Sequence, residues 1–234
     1  MISSFLPAAT CVLVVCAHPD DESFGLGAVL TGFLQQGART AVLCFTHGEA
    51  STLQDGEGDL DEIRPLEFIR AAHVLGVSSN KILDYADGRL GEQPTAALVE
   101  HIVQMAREVG ADLLLTFDEG GITGHPDHER ATSAAVQAAS VLEVSVLGWA
   151  VVAETAAVLN HEFGSNFVGR RDDELDFRVA SNRDLQREAI ACHQSQSASN
   201  PVLQRRLELS GNVEPLRWLT QVPHSRNVAS SATP

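Results

Sequence analysis

Directly behind an apolar run, Cys11-Val12-Leu13-Val14-Val15-Cys16, the chain reads Ala17-His18-Pro19-Asp20-Asp21-Glu22. Three consecutive carboxylates repel one another, which costs stability unless a positive charge sits among them. A divalent metal ion is the simplest such charge, and zinc takes three ligands from His and carboxylate side chains while keeping a fourth position for water. In a loop leaving a strand, His18 and a residue three positions on can turn toward one point. Asp20 and Asp21 point different ways, so one can ligate while the other stays free as a base. The same loop would serve equally as an acidic cap on the following helix, near its positive N-terminus.

A second stretch, Gly124-His125-Pro126-Asp127-His128, shifts the balance toward a metal. Pro126 suits the first turn of a helix, and His125 and His128, three apart, then share one face. Alone, such a pair decorates a surface. Opposite the first cluster it offers His128 as a third ligand and His125 as an uncoordinated imidazole. Other signals are weaker. Gly25, Gly27 and Gly32 miss the dinucleotide-loop spacing, and no Walker-type lysine loop exists. Ser23 lacks a nucleophile elbow. His47 and Glu49 either approach the site or serve a turn, whereas His73, His101 and His161 read as ordinary helix or surface residues.

Short runs at 12–16, 40–45, 81–85, 112–117 and 145–152 read as strands, mostly apolar on both faces. Amphipathic stretches at 27–36, 60–75, 95–109 and 126–140 alternate with them, and Gly37, Gly76 and Gly110 look like helix stops. This alternation predicts an α/β fold, a Rossmann-like, mostly parallel sheet with helices on both faces. Ligands in such sheets gather at the carboxyl ends of the strands. Four loops that could carry chemistry lie there: "AHPDDE", "THGE", "YADG" and "FDEGGITGHPDH". After Ala153 the pattern blurs. One or two edge strands fit 166–181, a helix fits 182–193 and a short one 203–209. Residues 1–222 read as a single domain, with 223–234 as a frayed tail.

The 234 residues are 44% hydrophobic with mean hydropathy near zero, enough for a sizeable core. The net charge is -15, with 23 acids against 7 bases in residues 1–169 and 8 against 9 beyond. An acidic body disfavours nucleic acid, and no basic stripe suits a membrane. The apolar stretch 5–17 is read as a core strand rather than a signal peptide, because no Lys or Arg precedes it. The cytoplasm is then the expected compartment. Cys11, Cys16, Cys44 and Cys192 form no paired motif and read as reduced thiols.

Taken together, "AHPDDE" and the downstream "HPDH" resemble the PIG-L/LmbE-like superfamily of zinc-dependent N-deacetylases. "EIRPLEFIRAAHVLGV", through Arg64, Glu67, Ala71, Leu75 and Gly76, is similar to that family's central helix; "YADGRL" matches its D-G turn and "REAIACHQSQ" its late H-x-S-Q element. The resemblance implies His18, Asp21 and His128 as ligands of one Zn2+, with Fe2+ as the alternative ion in a cell. It implies Asp20 as general base, His125, in protonated form, as the stabiliser of the oxyanion, Asp127 orienting His125 from behind, and Arg64 near polar groups of the substrate. Glu22 and His193 belong to the motifs without an assigned role. The implied activity is hydrolytic removal of acetate from an N-acetylated amino sugar, with a deacylase of a larger conjugate as the alternative. A non-catalytic sugar-binding module is disfavoured because every motif residue is present. The implied partner is a small amino sugar, with no nucleic acid and no membrane; a homo-oligomer is allowed.

Overall fold

Strands that are apolar at successive positions end up covered on both faces. The computed structural model describes residues 2–53 and 58–222. Its parallel strands are β1 (Cys11–Cys16), β2 (Arg39–Thr46), β3 (Ser79–Tyr85), β4 (Leu113–Phe117) and β5 (Ser145–Trp149). Between them run the helical segments α1 (Asp21–Phe24), α2 (Gly27–Gln35), α3 (Leu60–Val74), α4 (Thr95–Val109), α5 (Gly121–Gly124) and α6 (Pro126–Leu142). Side chains alternate across the sheet. Val12, Val14 and Cys16 pack on one face with Leu30 and Phe33 of α2 and Phe68 of α3. Leu13 and Val15 pack on the other with Leu98 and Ile102 of α4 and the alanine row Ala131, Ala134, Ala135 and Ala138 of α6. Gly110 closes α4 at φ +70°, a conformation that favours glycine.

The chain continues through β6 (Val151–Val152), α7 (Ala153–Phe163), β7 (Gly169–Arg170), β8 (Phe177–Ala180), α8 (Asp184–Cys192), α9 (Gln194–Ser197), α10 (Pro201–Ser210) and β9 (Val213–Thr220). The seven-stranded sheet has the order β3-β2-β1-β4-β5-β9-β8, and β9 runs antiparallel to both neighbours. The mostly parallel α/β architecture is therefore as the alternation implies. Chain order reverses direction between β1 and β4, which pair directly. That reversal opens a crevice at the strand ends, where ligands of such sheets bind.

Three details differ from the sequence reading. The stretch 145–152 is two strands, because Ala150 turns its N–H to the Pro215 carbonyl and the chain leaves the main sheet for β6. Helix α7 lies where no periodicity was legible. Strand β9, "VEPLRWLT", was missed because Pro215, Glu214 and Arg217 interrupt its apolar pattern. The tail at 223–234 and residues 54–57 lie outside the described residues. Among the described residues, no helix is long and apolar enough to cross a membrane.

Candidate metal centre

Since β1 and β4 are neighbours, the loops that follow them face each other across the crevice. In the first loop the Asp21 carboxylate folds back: Oδ2 accepts the backbone N–H of Ala17 at 3.0 Å and of His18 at 2.9 Å. Its other oxygen, Oδ1, lies 3.2 Å from His128 Nε2. His18 Nδ1 stands 3.0 Å from that same His128 nitrogen and 3.8 Å from Asp21 Oδ2. His18, His128 and the Asp21 carboxylate thus converge from two loops, the carboxylate meeting the two rings through different oxygens. Tetrahedral zinc, with ligands at about 2.0–2.1 Å, holds neighbouring ligand atoms about 3.3 Å apart. The His18–His128 and His128–Asp21 distances fit that spacing, and the His18–Asp21 distance is wider.

The surroundings fix which nitrogens face inward. His128 Nδ1 donates to the Gly121 carbonyl at 3.0 Å, leaving Nε2 free to ligate. His18 Nε2 lies 2.9 Å from Asp87 and 3.5 Å from Asp127. Burial works against charging His18, but the Asp127 and Asp87 carboxylates overcome it and raise its pKa. Burial likewise opposes ionising Asp21, yet His128 and His18 hold its carboxyl well below the usual range. Both directions describe a site that concentrates opposite charges.

Asp20 sits beside the triad with φ +125°, in a region that L-residues rarely adopt. Two contacts hold it there. Its backbone N–H donates to Glu22 Oε2 at 3.0 Å, and its carboxylate pairs with Arg64 Nη2 at 3.1 Å. Burial pushes the Asp20 carboxyl up to about 6, Arg64 moderates the rise and Asp21 adds to it. Glu22 is in turn fully buried against His193, whose Nε2 lies 2.6 Å from Glu22 Oε1. The late H-x-S-Q element thereby acquires a place, bracing the loop that carries Asp20. Ser195 of the same element ties to Glu67 on α3 through its backbone N–H and hydroxyl, at 2.9 and 2.6 Å.

Asp127 and Arg64 each hold two backbone groups. The Asp127 carboxylate does not sit behind His125. It accepts the N–H groups of Gly88 at 2.8 Å and Leu90 at 3.1 Å and faces His18, because the D-G turn after β3 wraps around it. What Asp127 gives His125 is its backbone N–H, donated to Nδ1 at 3.3 Å. That bond assigns the His125 proton to Nε2. Burial, together with His18 and His128, lowers the His125 pKa. Arg64, in turn, is only 3% exposed. Its guanidinium donates to the carbonyls of Gly48 and Pro19 as well as to Asp20, and the residue lines the same cavity as His18 and His125.

His47 turns to Asp61 and Asp84, whereas Glu49 accepts the Asp87 N–H at 2.8 Å and braces the D-G turn. Asp87 is the residue near the metal position that motif reading left without a role, although its turn was visible as "YADG". The centre opens into a cavity of about 560 Å³. Its lining includes the apolar Phe24, Phe117, Trp149, Phe167 and Leu203 together with the polar Gln196, Asn200 and Arg206. Gly25 lets that lining close: a Cβ there would stand 2.4 Å from the Phe117 ring. The cysteines are all unpaired, and Cys11, Cys16 and Cys44 are buried in the strands.

The family described as "PIG-L: GlcNAc-PI de-N-acetylase" matches residues 13–139, more than half of the chain and every residue of the ligand triad. The chain belongs to the PIG-L family. Over 159 residues this PIG-L protein is 34% identical to 1D-myo-inositol 2-acetamido-2-deoxy-alpha-D-glucopyranoside deacetylase 1 of Catenulispora acidiphila. The alignment covers 57% of this chain and 49% of that relative; the chain spans about half the length of the curated relatives it matches. Among solved structures, N,N'-diacetylchitobiose deacetylase from Pyrococcus horikoshii superposes with a TM-score of 0.66 at 21% identity, over 90% of this chain and 84% of that one. The 4-carboxy-2-hydroxymuconate hydratase of Pseudomonas putida also reaches 0.66, at 16% identity, over 90% and 96%. A deacetylase and a hydratase share this PIG-L fold, so the fold alone does not select the chemistry.

Proposed function

We propose that this PIG-L protein is a metal-dependent hydrolase that removes the acetyl group from an N-acetylated amino sugar, an N-acetylglucosaminide or a conjugate of one. The observation that carries the reading is the meeting of His18, Asp21 and His128 with Asp20 free beside them. Imidazole and carboxylate donors at this spacing suit Zn2+, with Fe2+ as the alternative. When bound, such an ion supplies Lewis acidity and lowers the pKa of a coordinated water toward about 7.

The chain's own groups supply the rest. Asp20, held by Arg64 and by the Glu22 carboxylate on its N–H, takes the proton of the attacking water and returns it to the departing amine. An amine is a poor leaving group, so that second transfer is required. His125 offers its Nε2–H to the oxygen on which negative charge develops, a type of donor worth roughly 3 kcal/mol in comparable sites. Because Asp127 donates to Nδ1, the neutral ring suffices for this role. Asp87 and Asp127 keep His18 oriented.

The apolar side chains in the lining, Phe24, Trp149 and Phe167 among them, support a second reading, cleavage of a larger acyl or thiol conjugate at the same centre. Both readings treat residues 1–222 as one unit and place it in the cytoplasm. Metal analysis of the purified protein, paired with acetate and amine release, tests them. Metal near one equivalent with turnover of N-acetylglucosaminides supports the first. Turnover confined to longer acyl amides selects the second, and metal-free protein with neither activity refutes both.

A further inference from the structure

Deacetylation chemistry leaves one buried cation unexplained. Arg206, on α10, is 5% exposed, yet among the described residues its guanidinium forms no ion pair with a carboxylate within 4.0 Å. Its Nη2 donates to the Phe24 carbonyl, and the group lies over the Trp149 indole at 5.0 Å from the ring centroid. The acid of this cluster, Glu214, is already engaged. One of its oxygens accepts from Trp149 Nε1 at 2.6 Å and the other is paired with Arg183. Arg183 is further committed to Gln186 and to the carbonyls of Gly211 and Val213. The cluster therefore carries two cations against one anion. Burial holds Arg206 down to about 10, so it stays charged at neutral pH. Glu214 offsets part of that charge from a distance, and a buried charge without a direct partner is costly, which makes it a candidate for binding a ligand.

Arg206 lines the same cavity as His18, Asp20, Asp21, His125 and His128. Ring contacts connect the two ends: Phe117 packs on His128 at 4.9 Å and on Trp149 at 5.6 Å. One small molecule can therefore span both. The far end also needs a cation if the ligand is acidic, because the chain carries a net charge of -15 and the near end gathers four aspartates. Guanidinium binds carboxylate or phosphate through a planar fork, and the described partner occupies only one of its nitrogens.

We propose that Arg206 binds an anionic group, a carboxylate or a phosphate, on the part of the substrate remote from the acetamide, and so selects acidic conjugates of the amino sugar. The sugar's identity rests on the deacetylase reading; the anion seat does not.

The test uses full-length, metal-loaded protein and three matched compounds: methyl N-acetylglucosaminide, N-acetylglucosamine 1-phosphate and the glycolic acid glycoside of N-acetylglucosamine. The wild type should turn over at least one acidic compound with kcat/KM ten-fold or more above the neutral one. Arg206→Gln should erase that preference, mainly through KM. Tryptophan fluorescence titration in an Asp20→Asn background gives a binding readout independent of turnover. The phosphate and carboxylate arms identify which anion is seated. A preference that survives Arg206→Gln puts the anion on the metal and overturns the proposal, as does a wild type without preference. Should Arg206→Gln fail to fold, Arg206→Lys, which loses the fork, should cut the preference at least three-fold, and an undiminished preference overturns the seat. Arg206-dependent binding without turnover of any compound refutes the deacetylase reading and leaves the seat standing.

Discussion

Replacing Arg64 with Met separates two roles that a buried arginine in an active-site cavity could have. The observed guanidinium reaches the carbonyls of Gly48 and Pro19 and the carboxylate of Asp20, at 3% residue exposure. Removing one partner of a buried ion pair costs about 3–5 kcal/mol, because the other charge stays behind. Relaxation and water entry at the part-exposed Asp20 favour the lower half of that range, about 3–4 kcal/mol. For a chain of 150–250 residues each kcal/mol shifts the melting temperature by about 2–4 °C, so a fall of roughly 6–16 °C is expected. Because bound metal stabilises the fold by mass action, the melts must be compared at one fixed free-metal concentration. In turnover, the loss should appear in kcat, since Asp20 keeps its proton chemistry but loses its anchor at φ +125°. Arg64→Lys, which restores one charge but not the fork, should recover part of both effects. An unchanged melting temperature with a defect confined to KM would show that Arg64 touches substrate after all, and the positioning argument would fail.

Other substitutions at the centre should divide by what they disable. Asp20→Asn is expected to retain metal while turnover drops about 10²–10⁴-fold, whereas His128→Ala should lose metal first; elemental analysis beside acetate release distinguishes them. Asp87→Asn should weaken metal affinity or activity about 10–100-fold through the orientation of His18, read by competition with a chelator. Away from the site, the Asp112 carboxylate accepts the N–H groups of Thr10 and Cys11 and the Thr10 hydroxyl, which overcome partial burial and hold its pKa below the usual value. A depressed folded-state pKa stabilises above the unfolded value and is lost as pH falls. The stability gap between wild type and Asp112→Asn should therefore be present at pH 6–7 and close below about pH 4 in acid-unfolding curves.

The parallel half of the fold was legible because its signals are local. An apolar run such as Val12 to Cys16 and the alanine row of α6 announce themselves within a few residues. The motifs "HPDDE" and "HPDH" are equally local, and the β1–β4 pairing brings their loops together. What stayed hidden depends on partners distant in sequence. Strand β9 is recognisable only once β5 and β8 flank it, since Pro215 breaks its own pattern. Arg64 and Asp127 were expected to face substrate and His125, but their partners, Pro19, Gly48, Gly88 and Leu90, are backbone groups that no motif records. Asp87 was visible as part of a turn, while its approach to His18 exists only in three dimensions.

The order of contributions along the chain has a consequence for how such proteins diversify. The three proposed ligands and Asp20 all fall before residue 139, inside the family match. The cavity they open into is lined from both sides of that limit, by Phe24 and Phe117 before it and by Trp149, Phe167, Leu203 and Arg206 after it. On the proposed reading, the part of the lining that can vary independently of the cutting residues is thus the later one. A foreign C-terminal half grafted onto this N-terminal one should redirect which amide is cut only if it keeps His193 and Ser195, whose bonds to Glu22 and Glu67 reach back across the join.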